Sequence, residues 1–205
     1  MTPPPALTAP RFRSGSGRLC LDFIRTLRLR GMEGATEELD TPQALAAWVG
    51  QLGPYPDGAA VAVPSDAVLV QAREVREAVH VLLTAARGAG GAADCPPRER
   101  RILNHAAAGP VPTPTLDADG GLRYAAQDPV VAVLADIARD ALTLATTATL
   151  TRVRACAGPH CAAWFLDTSR PGNRRWCSMD TCGNQAKKTS WRTKHAPHAD
   201  SPAGA

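Results

Sequence analysis

The stretch from residue 156 to residue 182 reads CAGPHCAAWFLDTSRPGNRRWCSMDTC and contains two cysteine pairs of equal spacing. Cys156 and Cys161 form the first pair, and Cys177 and Cys182 form the second. Four thiolates arranged as two knuckles are the ligand set of a tetrahedral structural zinc site. Because such a site has no open coordination position, the sequence predicts a Zn²⁺ ion that folds this segment and takes no part in catalysis.

Two alternatives for these cysteines stay open at this point. His160 could replace Cys161 as a ligand, although the matched spacing of the two pairs favours the cysteines. Zinc-bound thiolates can also oxidise to disulfides, so a redox switch is the other interpretation. Cys20 lies in an apolar run far from the knuckles and is predicted to be buried.

Residues 152–195 are predicted to fold as a treble-clef-like finger, in the order knuckle, hairpin, knuckle and helix. A segment this short rarely buries enough apolar surface to fold without a metal or disulfides. The alternating run AAWFLD is predicted to be a strand that presents Trp164 or Phe165 to a small core. The closing helix is predicted over about 179–194.

The finger segment is basic, whereas the rest of the chain is mildly acidic. Residues 152–205 carry nine Lys and Arg against three Asp and Glu, and residues 1–151 carry 14 against 16. A metal-folded module coated in basic residues is typical of nucleic-acid binders. The residues predicted to contact DNA are Arg170, Arg174, Arg175, Asn184, Gln185, Lys187, Lys188, Arg192 and Lys194.

Several of these residues have a second interpretation. Arg174 and Arg175 either grip phosphates or balance the charge of a zinc-thiolate centre. Asn184 either pairs with adenine in a bidentate way or serves as a cap or a thiolate donor. Trp176 and Trp191 are predicted to belong to the core rather than to stack on bases.

The residues before the finger predict a mostly helical domain over 18–150 with one small β-hairpin, between a disordered arm (1–17) and the finger. The last residues, 196–205, are predicted to be a disordered tail. Arg73 and Arg76 are predicted to face solvent, with a pocket for an anionic ligand as the alternative. Four helices are predicted from their caps and first-turn prolines, at Thr41-Pro42, Ser65-Asp66 (about 66–87), Pro96-Pro97 and Asp128-Pro129 (to about 150).

The sequence also argues against several classes of protein. The start of the chain lacks the apolar region of a secretory signal. The most apolar stretch, 129–151, is interrupted by charges and does not predict a membrane span. From these two observations we expect a cytoplasmic protein. No catalytic triad, carboxylate pair or nucleotide-binding loop stands out, so we also expect that the protein is not an enzyme.

Two segments resemble known families. The finger is similar to the CGNR zinc-finger family of bacterial, mainly actinobacterial, proteins. The segments GRLCLDFIRTLRLRG (17–31) and TPQALAAWV (41–49) resemble the ABATE domain, a stress-induced regulator domain that usually precedes that finger. The resemblance implies a transcriptional regulator with a C-terminal DNA-binding finger and an N-terminal domain for ligand sensing, dimerisation or both. The finger residues that match are Cys156, Cys161, Phe165, Asp167, Ser169, Arg174, Arg175, Trp176, Cys177, Ser178, Met179, Cys182, Gly183, Asn184 and Lys187.

Two positions depart from the family patterns. Gln185 stands where the CGNR motif has Arg, which removes a charge and a bidentate fork. Arg25 stands where the ABATE pattern usually has Asn.

The expected partner is double-stranded DNA. Because a single finger neutralises few phosphates, we also expect a homodimer or docking on RNA polymerase. The first alternative is a zinc-stabilised module that binds RNA polymerase, another protein or RNA. The second is a small-molecule sensor or enzyme seated in the helical domain.

Overall fold

The chain is mostly helical, and its described residues also form two-stranded antiparallel sheets of short strands. The structure, a computed structural model, describes residues 12–56 and 60–194, with the backbone alone for 193 and 194. The helices are α1 (Leu19–Ile24), α2 (Pro42–Leu52), α3 (Asp66–Ala86), α4 (Pro97–Ala107), α5 (Pro129–Ala145) and α6 (Asn184–Lys194). The strands are β1 (Leu27–Arg28), β2 (Thr36–Glu37), β3 (Thr113–Leu116), β4 (Leu122–Ala125), β5 (Val153–Ala155) and β6 (Trp164–Leu166).

The predicted helix starts are confirmed where a side chain caps the helix. The Thr41 side chain accepts a hydrogen bond from the amide of Ala44, which opens α2. Ser65 caps α3 in the same way, and Asp128 accepts from two amides of the first turn of α5. These bonds satisfy backbone donors that have no partner within the helix. The predicted hairpin is confirmed as β3 paired with β4.

The end of α5 differs from the prediction. The sequence predicts a helix to about residue 150, but α5 ends at Ala145 and a 3₁₀ helix follows over Ala148–Arg152. Thr146 bonds its hydroxyl back to the carbonyl of Leu142, and Thr147 has an extended backbone with φ −118°. Consecutive β-branched residues with local hydroxyl bonds favour a break in the helix at this point.

The main core lies between α1, α2, α3, α4 and α5. Phe23 and Trp48 meet edge to face with their ring centroids 5.0 Å apart, and both are fully buried. The core also includes Val153 of β5 and Leu166 of β6. The finger therefore shares buried apolar surface with the helical domain.

The segment before α1 packs on the domain instead of being disordered as predicted. Phe12 is buried, and the Gln51 side chain bonds both the amide and the carbonyl of Phe12 at 2.8 Å. The remainder of the predicted arm (1–11) and the predicted tail (196–205) lie outside the described residues.

The prediction that Arg76 faces solvent is wrong. The Arg76 side chain is buried and holds both carboxylate oxygens of Glu37 at 2.6 Å, with Glu77 at 2.9 Å. Burial alone would raise the pKa of Glu37, but the hydrogen bonds and charge of Arg76 lower it below its usual range. Arg73 donates from two nitrogens to the Leu39 carbonyl. The two guanidinium groups thus tie α3 to β2 and to the segment that follows it.

Candidate zinc centre and nucleic-acid interface

The four knuckle cysteines meet at one point. The Sγ atoms of Cys156, Cys161, Cys177 and Cys182 all lie within 4.8 Å of one another. The Cys161 and Cys177 sulfurs are 3.7 Å apart, and the Cys177 and Cys182 sulfurs are 3.8 Å apart. A tetrahedron with Zn–S bonds of about 2.3 Å has edges of about 3.8 Å, so these two separations fit one zinc ion. His160 is exposed and lies outside this cluster.

Burial and close contact oppose the ionisation of more than one of these sulfurs at a time. The hydrogen bond from the Cys177 thiol lowers the pKa of Cys161 far below its usual value. The same bond, together with burial, raises the pKa of Cys177, and burial raises that of Cys182. Thiolates this close repel one another, so a divalent cation is what allows all of them to ionise.

Each knuckle is shaped by its own backbone. Cys156 donates its amide to the Ala163 carbonyl at 2.9 Å, which closes the first knuckle between β5 and β6. A Cβ added at Gly158 would lie 3.3 Å from the Cys182 sulfur, tighter than ordinary contact, so the glycine allows the two knuckles to approach closely. Ala157 donates to the Arg175 carbonyl at 2.8 Å and joins the first knuckle to the second.

The strand β6 divides its two aromatic side chains between two cores. Phe165 is fully buried in the small core of the finger, beside the cysteines. Trp164 points instead to the helical domain. The centre of its ring lies 5.1 Å from the centre of the His80 ring and 4.7 Å from the guanidinium carbon of Arg87. His80 lies in α3, and Arg87 directly follows its last residue; seven positions apart, they lie on the same side of the helix. The finger is thereby docked on α3 by one aromatic ring.

Asp167 and Arg174 hold the loop between the knuckles. Asp167 is buried and accepts from the hydroxyl and amide of Ser169 and from the amide of Arg174. The Ser169 hydroxyl is the main cause that lowers the pKa of Asp167. Arg174 donates to the carbonyls of Trp176 and Cys177 and lies over the Phe165 ring at 4.7 Å. The guanidinium of Arg174 is therefore engaged in fixing the second knuckle.

Arg25 reaches the candidate zinc centre from the helical domain. It is 7% exposed, and its Nη2 lies 3.5 Å from the Cys177 sulfur. Its Nη1 donates at 3.4 Å to the carbonyl of Ser14 and the hydroxyl of Ser16. A donor aimed at a ligating sulfur tunes and orients a metal site. Sequence reasoning flagged Arg25 as a departure from the family pattern, but the contact with a residue 152 positions away was outside its reach.

The predicted DNA-contact residues lie mostly on the surface. Those that are exposed are Arg170, Arg175, Asn184, Gln185, Lys187, Lys188 and Arg192. Arg174 is half-buried, and the side chain of Lys194 lies outside the described residues. The side-chain amide of Asn184 donates to the backbone carbonyl of Asp180 at 3.3 Å. Asn184 therefore acts as a local cap and does not donate to a cysteine thiolate. Trp176 packs on the finger core as predicted, whereas the prediction for Trp191 is wrong because it is 63% exposed.

A cleft of about 980 Å³ runs between α6, the first knuckle and the β1 region. Arg13 from the segment before α1 and Arg28 from β1 line one side of it, and Gln185, Lys188 and Arg192 line it from α6. Sequence reasoning placed the basic surface on the finger alone. The contribution of the helical domain depends on how the two parts pack, and no local pattern reveals it.

Comparison with protein families identifies both parts of the chain. Residues 17–148 match the ABATE family, described as "Putative stress-induced transcription regulator", and residues 152–195 match the CGNR zinc finger. The chain belongs to the ABATE family and carries a CGNR zinc finger behind the ABATE region. No curated protein matches the chain. The match and the four clustered sulfurs together give the finger a structural Zn²⁺. Both matches support a regulatory role.

Within the described residues, none of the helices combines the length and the apolar character that crossing a bilayer requires.

Proposed function

We propose that this protein is a DNA-binding transcriptional regulator whose finger contacts double-stranded DNA through α6. The observation that carries the proposal is the surface of α6, where Lys187, Lys188 and Arg192 are exposed. The helix contains no Asp or Glu. An exposed cationic helix on a metal-folded module suits the phosphate backbone of DNA.

Within the finger, the knuckles would bind zinc and α6 would contact DNA. Bound zinc would hold the two knuckles together, with Cys156, Cys161, Cys177 and Cys182 as its ligands. An α-helix such as α6 fits the major groove of B-DNA, and its Lys and Arg side chains would contact phosphates.

Base reading is assigned to the start of α6. Asn184 can pair with adenine if its amide leaves the Asp180 carbonyl, which is an exposed and replaceable partner. Gln185 offers the same pairing without the charge of an arginine. Arg170 is exposed and supplies a further phosphate contact, whereas Arg174 acts by holding the second knuckle.

The helical domain would provide ligand sensing, dimerisation or both. One finger makes few phosphate contacts, so tight binding calls for a second copy of the chain or a docking site on RNA polymerase. Light scattering with and without DNA tests the dimer. A complex with two chains per duplex supports it, and a monomer in both conditions would rule it out.

Selection from genomic DNA fragments tests the proposed function directly. Zinc-loaded protein should enrich a defined sequence, and the variant Cys177→Ser/Cys182→Ser should not, because the finger that presents α6 would be lost. Diffuse enrichment that is equal for both proteins would contradict sequence-specific regulation.

A salt titration tests the role of α6. In Lys187→Gln/Lys188→Gln, the slope of log Kobs against log salt should fall by about two, since each phosphate contact contributes about 0.9. The matched control is Arg100→Gln/Arg101→Gln, which removes two exposed arginines of α4. Equal slopes in both variants would remove α6 from the interface.

A second candidate function is a zinc-stabilised module that binds RNA polymerase, another protein or RNA. The exposed Trp191, together with Met179 at 48% exposure, favours a partner with apolar surface. Capture of purified RNA polymerase by the wild type, and its loss in Trp191→Ala, would support this function. Preference for single-stranded RNA over duplex DNA in competition would favour an RNA partner.

A further inference from the structure

A second basic groove lies on the other flank of the first knuckle, where the finger meets the C-terminal end of α3. Its volume is about 650 Å³. Its lining includes Arg87 directly after α3, Arg154 from β5, and Arg174 and Arg175 just before the second knuckle. Among the described residues that line it there is no Asp or Glu. The groove therefore concentrates positive charge contributed by both parts of the chain.

Two of these arginines lie over tryptophan rings. The Arg87 guanidinium lies 4.7 Å from the centre of the Trp164 ring, and that of Arg175 lies 5.0 Å from the centre of the Trp176 ring. Both arginines are exposed. A guanidinium has five N–H donors, and a cation–π contact with one ring leaves those that point away from the ring available. A fork that is already oriented loses less entropy when it binds an oxyanion.

Within the described residues, no ion pair neutralises Arg87, Arg154 or Arg175 of the groove. Arg154 donates from Nη2 to the Gly172 carbonyl at 2.9 Å, which orients it and leaves further donors. By contrast, Arg30 and Arg98 are both paired with glutamates. The three groove arginines thus combine contacts that orient them with charge that is not paired with any described carboxylate.

The position of the groove relates it to the cleft beside α6. Ala157 of the first knuckle lines the groove, while Pro159 and His160 of the same knuckle line the cleft. The two basic surfaces are therefore separated by one exposed turn. A polyanion that follows α6 and crosses this turn would reach the arginines beyond it.

We propose that the groove formed by Arg87, Arg154 and Arg175 is a second binding surface for the phosphodiester backbone of DNA, so that the helical domain contacts DNA directly. The inference rests on the proposed function and extends it from the finger to α3. Bidentate arginine forks match phosphate oxygens, and three forks on separate elements suit a chain of phosphates better than a single anion. Such contacts add affinity without reading sequence.

The test compares duplex binding by Arg87→Gln/Arg175→Gln with binding by the wild type over a series of salt concentrations. The slope of log Kobs against log salt should fall by about two, while the preferred sequence stays unchanged. The control Arg100→Gln/Arg101→Gln carries the same charge change on α4 and should bind like the wild type. Zinc content and thermal unfolding report whether each variant is folded.

Other outcomes separate this inference from the proposed function. A wild type that binds no duplex overturns both. If Lys187→Gln/Lys188→Gln weakens binding but Arg87→Gln/Arg175→Gln keeps the wild-type slope, the inference alone fails. If Arg87→Gln/Arg175→Gln binds DNA like the wild type but no longer binds polyglutamate, the groove binds an acidic protein, and the inference is overturned. Should the double variant lose zinc, Arg154→Gln carries the same test, with an expected fall in slope of about one.

Discussion

Phe23 and Phe165 are both fully buried, but they lie in cores of different kinds. Phe23 belongs to a core built from five helices, where apolar side chains contact one another over a large area. Phe165 lies in a small cluster whose other buried members are Ala163 and three of the knuckle cysteines. The helical domain can thus be stable through apolar burial, whereas the finger depends on its metal and on its contact with the domain.

The largest expected effect comes from truncating these two side chains. Phe23→Ala should lower the free energy of unfolding of the main helical transition by about 3–5 kcal/mol, because it leaves a cavity in a packed core. Phe165→Ala should change that transition less and should release zinc at a lower chelator concentration. Urea unfolding followed by circular dichroism, together with zinc release, distinguishes the two. If both variants lowered the free energy of unfolding of the helical transition equally, the two residues would belong to a single core.

The next effect concerns the contact between Arg25 and the Cys177 sulfur. Arg25→Gln should weaken zinc affinity by about 10- to 100-fold, the usual range for removing a partner of a metal ligand. Competition with a chromophoric chelator measures it. The control Arg18→Gln removes an arginine that is paired with Asp140 and should leave zinc affinity unchanged. Equal affinities for Arg25→Gln and the wild type would contradict a role for Arg25 at the zinc centre.

A smaller effect is expected at the ring that docks the finger. Trp164→Ala removes the contacts with His80 and Arg87, which together contribute about 1–2 kcal/mol. Zinc should remain bound, because Trp164 faces away from the finger core. Limited proteolysis should then cleave near the junction at residue 152 faster than in the wild type. Unchanged cleavage would mean that other contacts hold the finger in place.

The smallest effect is a pH dependence within the helical domain. The pKa of Glu37 is lowered in the folded protein, so this residue stabilises the fold above its unfolded pKa of about 4.3. That contribution is lost as the pH falls through the folded value. The difference in Tm between the wild type and Glu37→Gln should therefore be largest at pH 7 and shrink below about pH 4.3. A constant difference would contradict the pairing with Arg76.

The same comparison explains what the sequence could and could not predict. Thr41, Ser65 and Asp128 act within their own turns, so local patterns were sufficient to identify the helix starts. The spacing of the four cysteines was likewise sufficient to predict the zinc site. Arg76 was misassigned because its partner Glu37 is 39 residues away and turns a polar helix position into a buried one.

The contacts between the two parts were the least predictable. Alternation along β6 predicted that Trp164 or Phe165 would enter the finger core, but it could not choose between them. The choice follows from docking, since only the packed structure puts α3 beside Trp164. The second arginine groove was missed for the same reason, because Arg87 and Arg175 are distant in sequence and meet only across the junction.

Hydrogen exchange with and without zinc tests most directly whether the two parts depend on different forces. Removal of zinc by a chelator should strip protection from amides of β6 and the second knuckle, while amides of α3 and α5 stay protected. Readdition of zinc should restore the finger. Simultaneous loss of protection in α3, α5 and the finger would contradict the account, as would a finger that stays protected without metal.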